Sequence, residues 1–369
     1  MTRIDTSNWS EARLQHRLAL QCSLIEESLQ AYGRHVYIAD GHVGADWIRY
    51  DTSTRTAGLP LAALESALTQ RLNCLARIKQ QGDRLVVLVR RPRPPVDLLD
   101  LMQSYRQLAS ARASILGLAE NGRLVQLDFN QEGHVLVAGN STSGKSSLLR
   151  TLATSLAAAS TPEQVKLLVI QGSSSAGLGP LNYLPSAYLL QPVITAIDDA
   201  TRLLNELAAS VESQPDSAAG PRIVVFIDRV EALLTAGQLP MLAPLARLLA
   251  TRGAVSVVLS MERPESDLFH YMGSHLSTRL VGQVTNQFQA DAATGIVDSR
   301  AEQLPDQGAF LLVREKRMTY FQAAHADQYD LSFLMLLLRQ NNPSSVHKSR
   351  PRQLTTTRPA IHTPSHFGL

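Results

Sequence analysis

Cysteine is nearly absent from this 369-residue chain, which carries only Cys22 and Cys74. The two have no metal or redox spacing, so no disulfide framework or thiolate cluster organises the fold, and such usage suits a reducing compartment. No apolar run reaches the ~18 residues of a membrane span. The opening residues, with Asp5, Asn8 and Glu11, lack the apolar core of a secretory signal. A cytoplasmic protein without a membrane segment is therefore expected. Charge of one sign is missing as well, since 35 Lys and Arg face 32 Asp and Glu for a net of +3. A nucleic-acid surface must then be sought locally, because the whole-chain balance does not announce one. His325, His347 and His362 show no ligand spacing, which argues against a histidine metal site.

What the chain does have is ample core. Its 44% hydrophobic and 18% charged residues are ordinary for a globular protein, and its length suggests about two domains. The most specific stretch runs Gly139-Asn140-Ser141-Thr142-Ser143-Gly144-Lys145-Ser146-Ser147 and satisfies G-x-x-x-x-G-K-[ST]. An apolar run precedes it (Val135 to Ala138) and a helix-like run follows (Leu148 to Leu156), the strand-loop-helix context the motif needs. The glycines let the loop wrap closely, so that backbone N–H groups and a helix N-terminus point at a polyanion. ATP is the expected ligand, with Lys145 on the β/γ-phosphates and the Ser146 hydroxyl on Mg²⁺.

Upstream, Trp9, Leu14, Leu18, Cys22, Ile25 and Leu29 have helical spacing, and Gly33 is expected to close that helix. Short strands are read at 36–38 and 47–50, a helix over 61–80, a strand over 85–90 and a second helix over 98–111. The basic and proline-rich stretch 90–95 reads either as a linker or as a DNA-facing rim. An Asn121-Gly122 turn marks a hairpin within 115–128. From residue 134 strands alternate with helices, the sign of a mostly parallel sheet covered on both faces. The apolar strand Val165 to Ile170 leads into a Gly/Ser-rich loop where open α/β sheets put ligands. The strand Arg222 to Asp228 ends in a carboxylate, either a second Mg²⁺ anchor or the cap of the next helix. Ser260, at the end of another apolar strand, lies in a sensor-like spot between the two phosphate-binding strands. The stretch 341–369, with Lys348, Arg350, Arg352 and Arg358, lacks a hydrophobic period and reads as a disordered basic tail.

The phosphate loop, Pro192 to Thr195, the strand ending at Asp228, Leu259 to Pro264, Thr278 to Val284, and Glu302 to Val313 occur in the order found in FtsK/SpoIIIE-type DNA translocases, which this chain resembles over roughly residues 36–338. The resemblance implies an α/β fold, a RecA-like P-loop NTPase core preceded by a small α+β subdomain. The implied division is 1–33 N-terminal helix, 34–130 small subdomain, 131–340 ATPase domain and 341–369 tail. It also implies a hexameric ring, a homo-oligomer or one shared with an active paralogue, that pumps double-stranded DNA by ATP hydrolysis. Arg263 and Arg279 fall where the family's ring interfaces carry charges. Each reads equally as a residue acting on a neighbour's nucleotide or as a surface salt bridge.

The departures from the family pattern fall on chemistry. Arg229 stands where members follow the strand Asp with the Glu that orients water, and a guanidinium cannot accept a proton. Glu231, two positions on, is a substitute whose offset points it elsewhere. Glu262 replaces a Gln before Arg-Pro, and a carboxylate there is expected to repel phosphate. Ala293 replaces an arginine, and Thr142 an extra loop glycine. Asp228, Glu231, Ser260 and Arg279 are accordingly the candidate catalytic residues, with Ser146 and Asp228 on the metal. Three functions compete: a DNA-translocating ring ATPase, a nucleotide-binding ring member deficient in hydrolysis, and a protein-secretion coupling ATPase.

Overall fold

The computed structural model describes residues 9–32, 37–44, 47–55, 59–82, 84–90, 96–105, 107–172, 177–213, 220–234, 241–251, 253, 255–264, 272–305 and 307–341. Gly33, most of the basic-proline stretch 90–95 and the basic tail beyond Asn341 lie outside them. The described residues fall into two units, 9–90 and 96–341.

The first unit is an antiparallel sheet ordered β1-β2-β4-β3, from β1 (Ile38–Val43), β2 (Trp47–Arg55), β3 (Ala76–Gln81) and β4 (Arg84–Arg90). Helices α1 (Trp9–Gln30) and α2 (Leu61–Leu72) supply Leu18, Ile25, Leu29, Leu64 and Leu68 to one core with Ile48, Tyr50, Val87 and Val89 of the sheet. Alternate strand residues face that core because side chains on a strand repeat every second position. Tyr50 is fully buried, and its hydroxyl donates to Gln21 Oε1 at 2.6 Å, so the polar tip is not stranded. The helix expected over 61–80 is in fact a helix and a strand. Asn73 takes the left-handed conformation at φ 49° and ends α2. Beyond it Ala76-Arg77-Ile78-Lys79 alternates with period two and pairs with β4. Helix α1 and the sheet share one core, so residues 9–32 are part of this unit rather than a separate element.

The second unit is built on a nine-stranded sheet ordered β6-β5-β13-β12-β11-β7-β10-β9-β8. Its strands are β5 (Ala113–Ala119), β6 (Leu124–Asp128), β7 (Val135–Ala138), β8 (Val165–Gln171), β9 (Arg222–Asp228), β10 (Val255–Met261), β11 (Thr278–Gly282), β12 (Ala309–Arg314) and β13 (Arg317–Ala323). The five strands from β11 to β8 run parallel, and the remaining four are attached antiparallel. Every residue of β7 and β10 is buried, as central parallel strands with both faces covered require. The covering helices are α3 (Leu98–Ser104), α4 (Lys145–Ala159), α5 (Ile197–Ser213), α6 (Val230–Leu234), α7 (Leu242–Ala250), α8 (Gln287–Thr294) and α9 (Gln328–Asn341). Amphipathic α5 turns Ala200, Leu204, Leu207 and Ala208 inward, the three-and-four spacing of one helical face.

Two sequence expectations shift here. The helix read over 98–111 stops at Ser104, because Tyr105 leaves the helical region with ψ 78° and its hydroxyl donates to Gly122 O at 3.3 Å. The hairpin within 113–128 belongs to the large sheet and not to the small subdomain. One edge of β5 is taken by β6 and the other by β13, which pairs Phe321 with Ala119 and Ala323 with Gly117. Helix α4 is fastened to the same strand, since Ser114 Oγ donates to Leu152 O at 2.8 Å and Ile115 N to Ser155 Oγ at 3.1 Å. The boundary between units therefore falls near residue 94 rather than 130.

Candidate nucleotide site

The C-terminal ends of β7, β9 and β10 converge at one edge of the parallel block. Their register sets Ser260 beside Val137 and Leu259 beside Ile227, so Asp228 and Ser260 emerge as neighbours next to the loop after β7. That loop needs its first glycine. Gly139 has φ +151°, and a Cβ there would stand 2.6 Å from Ser143 Oγ and 3.1 Å from Gln283 O. The loop is pinned on both sides. Asn140 N–H donates to Gln283 O at 2.7 Å, and Gly308 N–H donates to Ser143 O at 3.1 Å. Ser143 is buried, while Ser141 and Thr142 are exposed at the tip, where Thr142 Oγ1 donates to Asn140 Oδ1 at 3.2 Å.

Gly144, at φ +96°, opens the 15-residue helix α4 and offers no side-chain cap. The N–H groups at Lys145, Ser146 and Ser147 thus begin a helix whose positive end is uncapped by any side chain, a fit for phosphate oxygens. Lys145 is 4% exposed, and its Nζ donates to Gly139 O at 2.9 Å and Asn140 O at 2.6 Å. Burial pulls its pKa below the usual lysine value, while Glu262, Asp228 and Glu231 act in the opposite sense. Ser147 Oγ lies 2.9 Å from His325 Nδ1, a neighbour that sequence gave no reason to expect.

Beside the loop, Ser146 Oγ donates to Asp228 Oδ2 at 2.9 Å. Ser260 Oγ donates to Asp228 Oδ1 at 2.6 Å and accepts from Arg229 N at 2.8 Å. Asp228 and Ser260 are both fully buried. Hydroxyl and carboxylate oxygens suit a hard divalent cation. Among the described residues no group of three His, Cys, Asp or Glu is placed to hold a metal. A cation at Ser146 and Asp228 would then take its other ligands from water and phosphate, which is how Mg²⁺ is usually held. Gly177 lies directly over this pair. A Cβ on it would stand 2.9 Å from Ser146 Cβ and 3.4 Å from Asp228 Oδ2.

The other candidates divide. Glu231 does not face the loop with both oxygens, because its Oε1 accepts from the N–H of Glu262 and, at 3.0 Å, from that of Arg263. Arg229 adopts the left-handed region at φ 56°, which costs a non-glycine residue about 1 kcal/mol. Its guanidinium reaches Glu262 Oε1 at 3.5 Å. Arg279 is not brought to the phosphate loop. It donates to the carbonyls of Leu276 at 3.2 Å, Ala292 at 3.3 Å, Ala293 at 3.1 Å and Gly273 at 3.5 Å, closing the C-terminal end of α8. Its partners are carbonyls, so nothing in the side-chain pattern marked it as structural. We expect Arg279→Ala to lower stability by about 2–4 kcal/mol, since four carbonyls lose their donor. Urea unfolding checks this, and an unchanged midpoint would show that these bonds do not hold the fold. Arg263, by contrast, is exposed.

A glycine-shaped phosphate loop after a central parallel strand, with lysine, hydroxyl and strand-end carboxylate in register, defines a P-loop nucleotide-binding protein. Comparison with known proteins narrows the class. The sequence model of the FtsK/SpoIIIE family matches residues 99–217. The DNA translocase SftA of Bacillus subtilis (strain 168) is 27% identical over 245 residues, covering 59% of this chain and 25% of that protein. The DNA translocase FtsK of Halalkalibacterium halodurans is 23% identical over 346 residues, covering 82% and 42%. Among solved structures, the cytoplasmic domain of the Thermomonospora curvata type VII secretion ATPase EccC superposes with TM-score 0.54 at 21% identity, covering 70% of this chain and 34% of that one. The pCW3 conjugation coupling protein TcpA, in monomer form with ATPγS, gives TM-score 0.54 at 14% identity, covering 87% and 99%. These structural likenesses establish the fold, an FtsK/EccC/TcpA-like α/β ATPase fold with a mixed, largely parallel sheet and a small antiparallel one. The match to the FtsK/SpoIIIE family covers about a third of the chain, and at these identities the FtsK and SftA translocases are distant relatives of it. The chain spans 25% and 42% of the lengths of these two relatives. Among the described residues no helix is long and apolar enough to cross a membrane.

Proposed function

We propose that this chain is an ATP-driven motor subunit that acts on double-stranded DNA within a homo-oligomeric ring, hexameric by its family resemblance. The observation that carries the reading is the joined set Lys145, Ser146, Asp228 and Ser260, in a chain whose matched relatives include DNA translocases. ATP occupies the loop from Gly139 to Ser147. Lys145 turns from the Gly139 and Asn140 carbonyls to the β/γ-phosphates, and the α4 N-terminus receives the remaining phosphate charge. Ser146 and Asp228 are the residues that would hold Mg²⁺, which would supply positive charge to the phosphate oxygens. Ser260 fixes the Asp228 carboxylate so that this arrangement costs little reorganisation. Exposed Arg263 is the better placed of the two arginines to reach a neighbouring subunit.

Arg229 favours a second reading, a ring member that binds nucleotide without turning it over. Secretion coupling is a third, supported by likeness of fold alone, and fold does not choose a substrate. Displacement of a triplex-forming strand from duplex DNA separates them. The motor reading expects ATP-dependent displacement that stops with a non-hydrolysable analogue. Nucleotide binding with no displacement at any protein concentration would favour the second reading.

A further inference from the structure

We propose that Glu262 is the carboxylate that accepts the proton of the attacking water, taking over the task that the resemblance assigns to position 229. The family pattern puts a glutamate after the strand aspartate and a glutamine before Arg-Pro. This chain has Arg229 and Glu262 at those two places, so the pair keeps one carboxylate and moves it from the end of β9 to the end of β10.

The structure gives the moved carboxylate the right surroundings. Glu262 Oε1 stands 3.6 Å from Lys145 Nζ, the cation that must meet the terminal phosphate, and 3.5 Å from Arg229 Nη2. Neither distance is a hydrogen bond, and Oε1 is buried without a hydrogen-bond partner. A buried acceptor with an unused lone pair beside the phosphate-binding lysine is what a water-activating base requires. The side chain springs from a fixed backbone, because the N–H groups of Glu262 and Arg263 are both held by Glu231 Oε1. Glu231 is on these grounds a positioning residue, and Arg229 stands beside the same carboxylate oxygen as Lys145. Fixed placement of a base is itself a large part of its catalytic effect.

In the step assigned to it, Glu262 takes one proton from water as the water oxygen bonds to the γ-phosphorus. The bond from that phosphorus to the β–γ bridging oxygen breaks, its electron pair leaves on ADP, and the proton passes from Glu262 to solvent.

This inference rests on the ATPase reading of the site, and two measurements separate them. Equilibrium binding of ATPγS reports on the site, and steady-state ATP hydrolysis reports on the base. Glu262→Gln is expected to bind ATPγS as tightly as the wild type or a few-fold tighter, since a negative charge beside the phosphates is removed. Its turnover should fall by about a hundredfold or more, the usual contribution of a general base. Glu262→Asp should recover part of that loss. Arg229→Glu should raise turnover less than about threefold, because the base is already present. Turnover of Glu262→Gln within threefold of wild type, or a gain of tenfold or more from Arg229→Glu, would overturn the assignment. Wild-type protein that binds ATPγS but hydrolyses ATP no faster than Lys145→Ala would overturn it too, and would leave nucleotide binding standing. Failure to bind ATPγS at all would remove both.

Discussion

Lys145→Ala is expected to weaken ATP binding by about a hundredfold or more and to abolish turnover. The size follows from what the ammonium does. It is buried at the base of the loop and donates charge-assisted hydrogen bonds to Gly139 O and Asn140 O. Hydrogen bonds to charged groups contribute about 1.5–3 kcal/mol each, and a phosphate accepts more than one. Burial disfavours the charged form, so the site maintains an ammonium there at some cost to the fold. Because the folded-state pKa is lowered, that penalty is present at neutral pH and is relieved only as pH rises through the lysine range. Stability of the alanine variant should therefore change by no more than about 1–2 kcal/mol, the loss of two hydrogen bonds being offset by removal of a buried charge. Calorimetric titration with ATPγS and urea unfolding would separate the two effects.

Asp228→Asn is expected to be the most damaging single change to fold and site together. The carboxylate accepts from Ser146 and from Ser260 on opposite oxygens and is fully buried. It is also the acidic group that favours the charged form of Arg150, whose Nε is buried without a hydrogen-bond partner. An amide keeps the shape but turns one acceptor into a donor, which then faces a hydroxyl, and it leaves the arginine charge uncompensated. The cost should be about 2–4 kcal/mol of stability, read from urea unfolding. If Asp228 holds Mg²⁺ as proposed, the change should also remove the Mg²⁺ dependence of nucleotide binding. A variant that unfolds like the wild type would show that Asp228 is not the hub described above.

The features legible in the sequence were those carried by neighbouring residues. The phosphate loop lies within nine positions, and the apolar strand ending at Asp228 within seven, so spacing alone exposed both. The Asn121-Gly122 turn was readable for the same reason, and Gly122 has the expected φ of +75°. What escaped depends on residues far apart in the chain. That β5 pairs with β13 needs a contact between positions near 119 and 321, and no local pattern encodes it. The 61–80 region had helix-compatible apolar spacing throughout, and only the left-handed turn at Asn73 and pairing with β4 divided it. The four carbonyl partners of Arg279 lie in segments that local spacing does not bring together, so its place beside the end of α8 was not readable. That the Glu262 carboxylate lies beside both Lys145 and Arg229 was likewise beyond the reach of local spacing.

Phosphate loop, hydroxyl–carboxylate pair and Glu262 are the parts on which the proposed ATP turnover rests, and duplex DNA is the object that the proposal gives it. The steady-state ATPase rate of the full chain, with and without duplex DNA and with Lys145→Ala as control, tests this most directly. The account predicts a wild-type rate that rises severalfold or more on adding DNA and falls to the control level in the variant. A wild-type rate that DNA leaves unchanged and that Lys145→Ala does not reduce would contradict it.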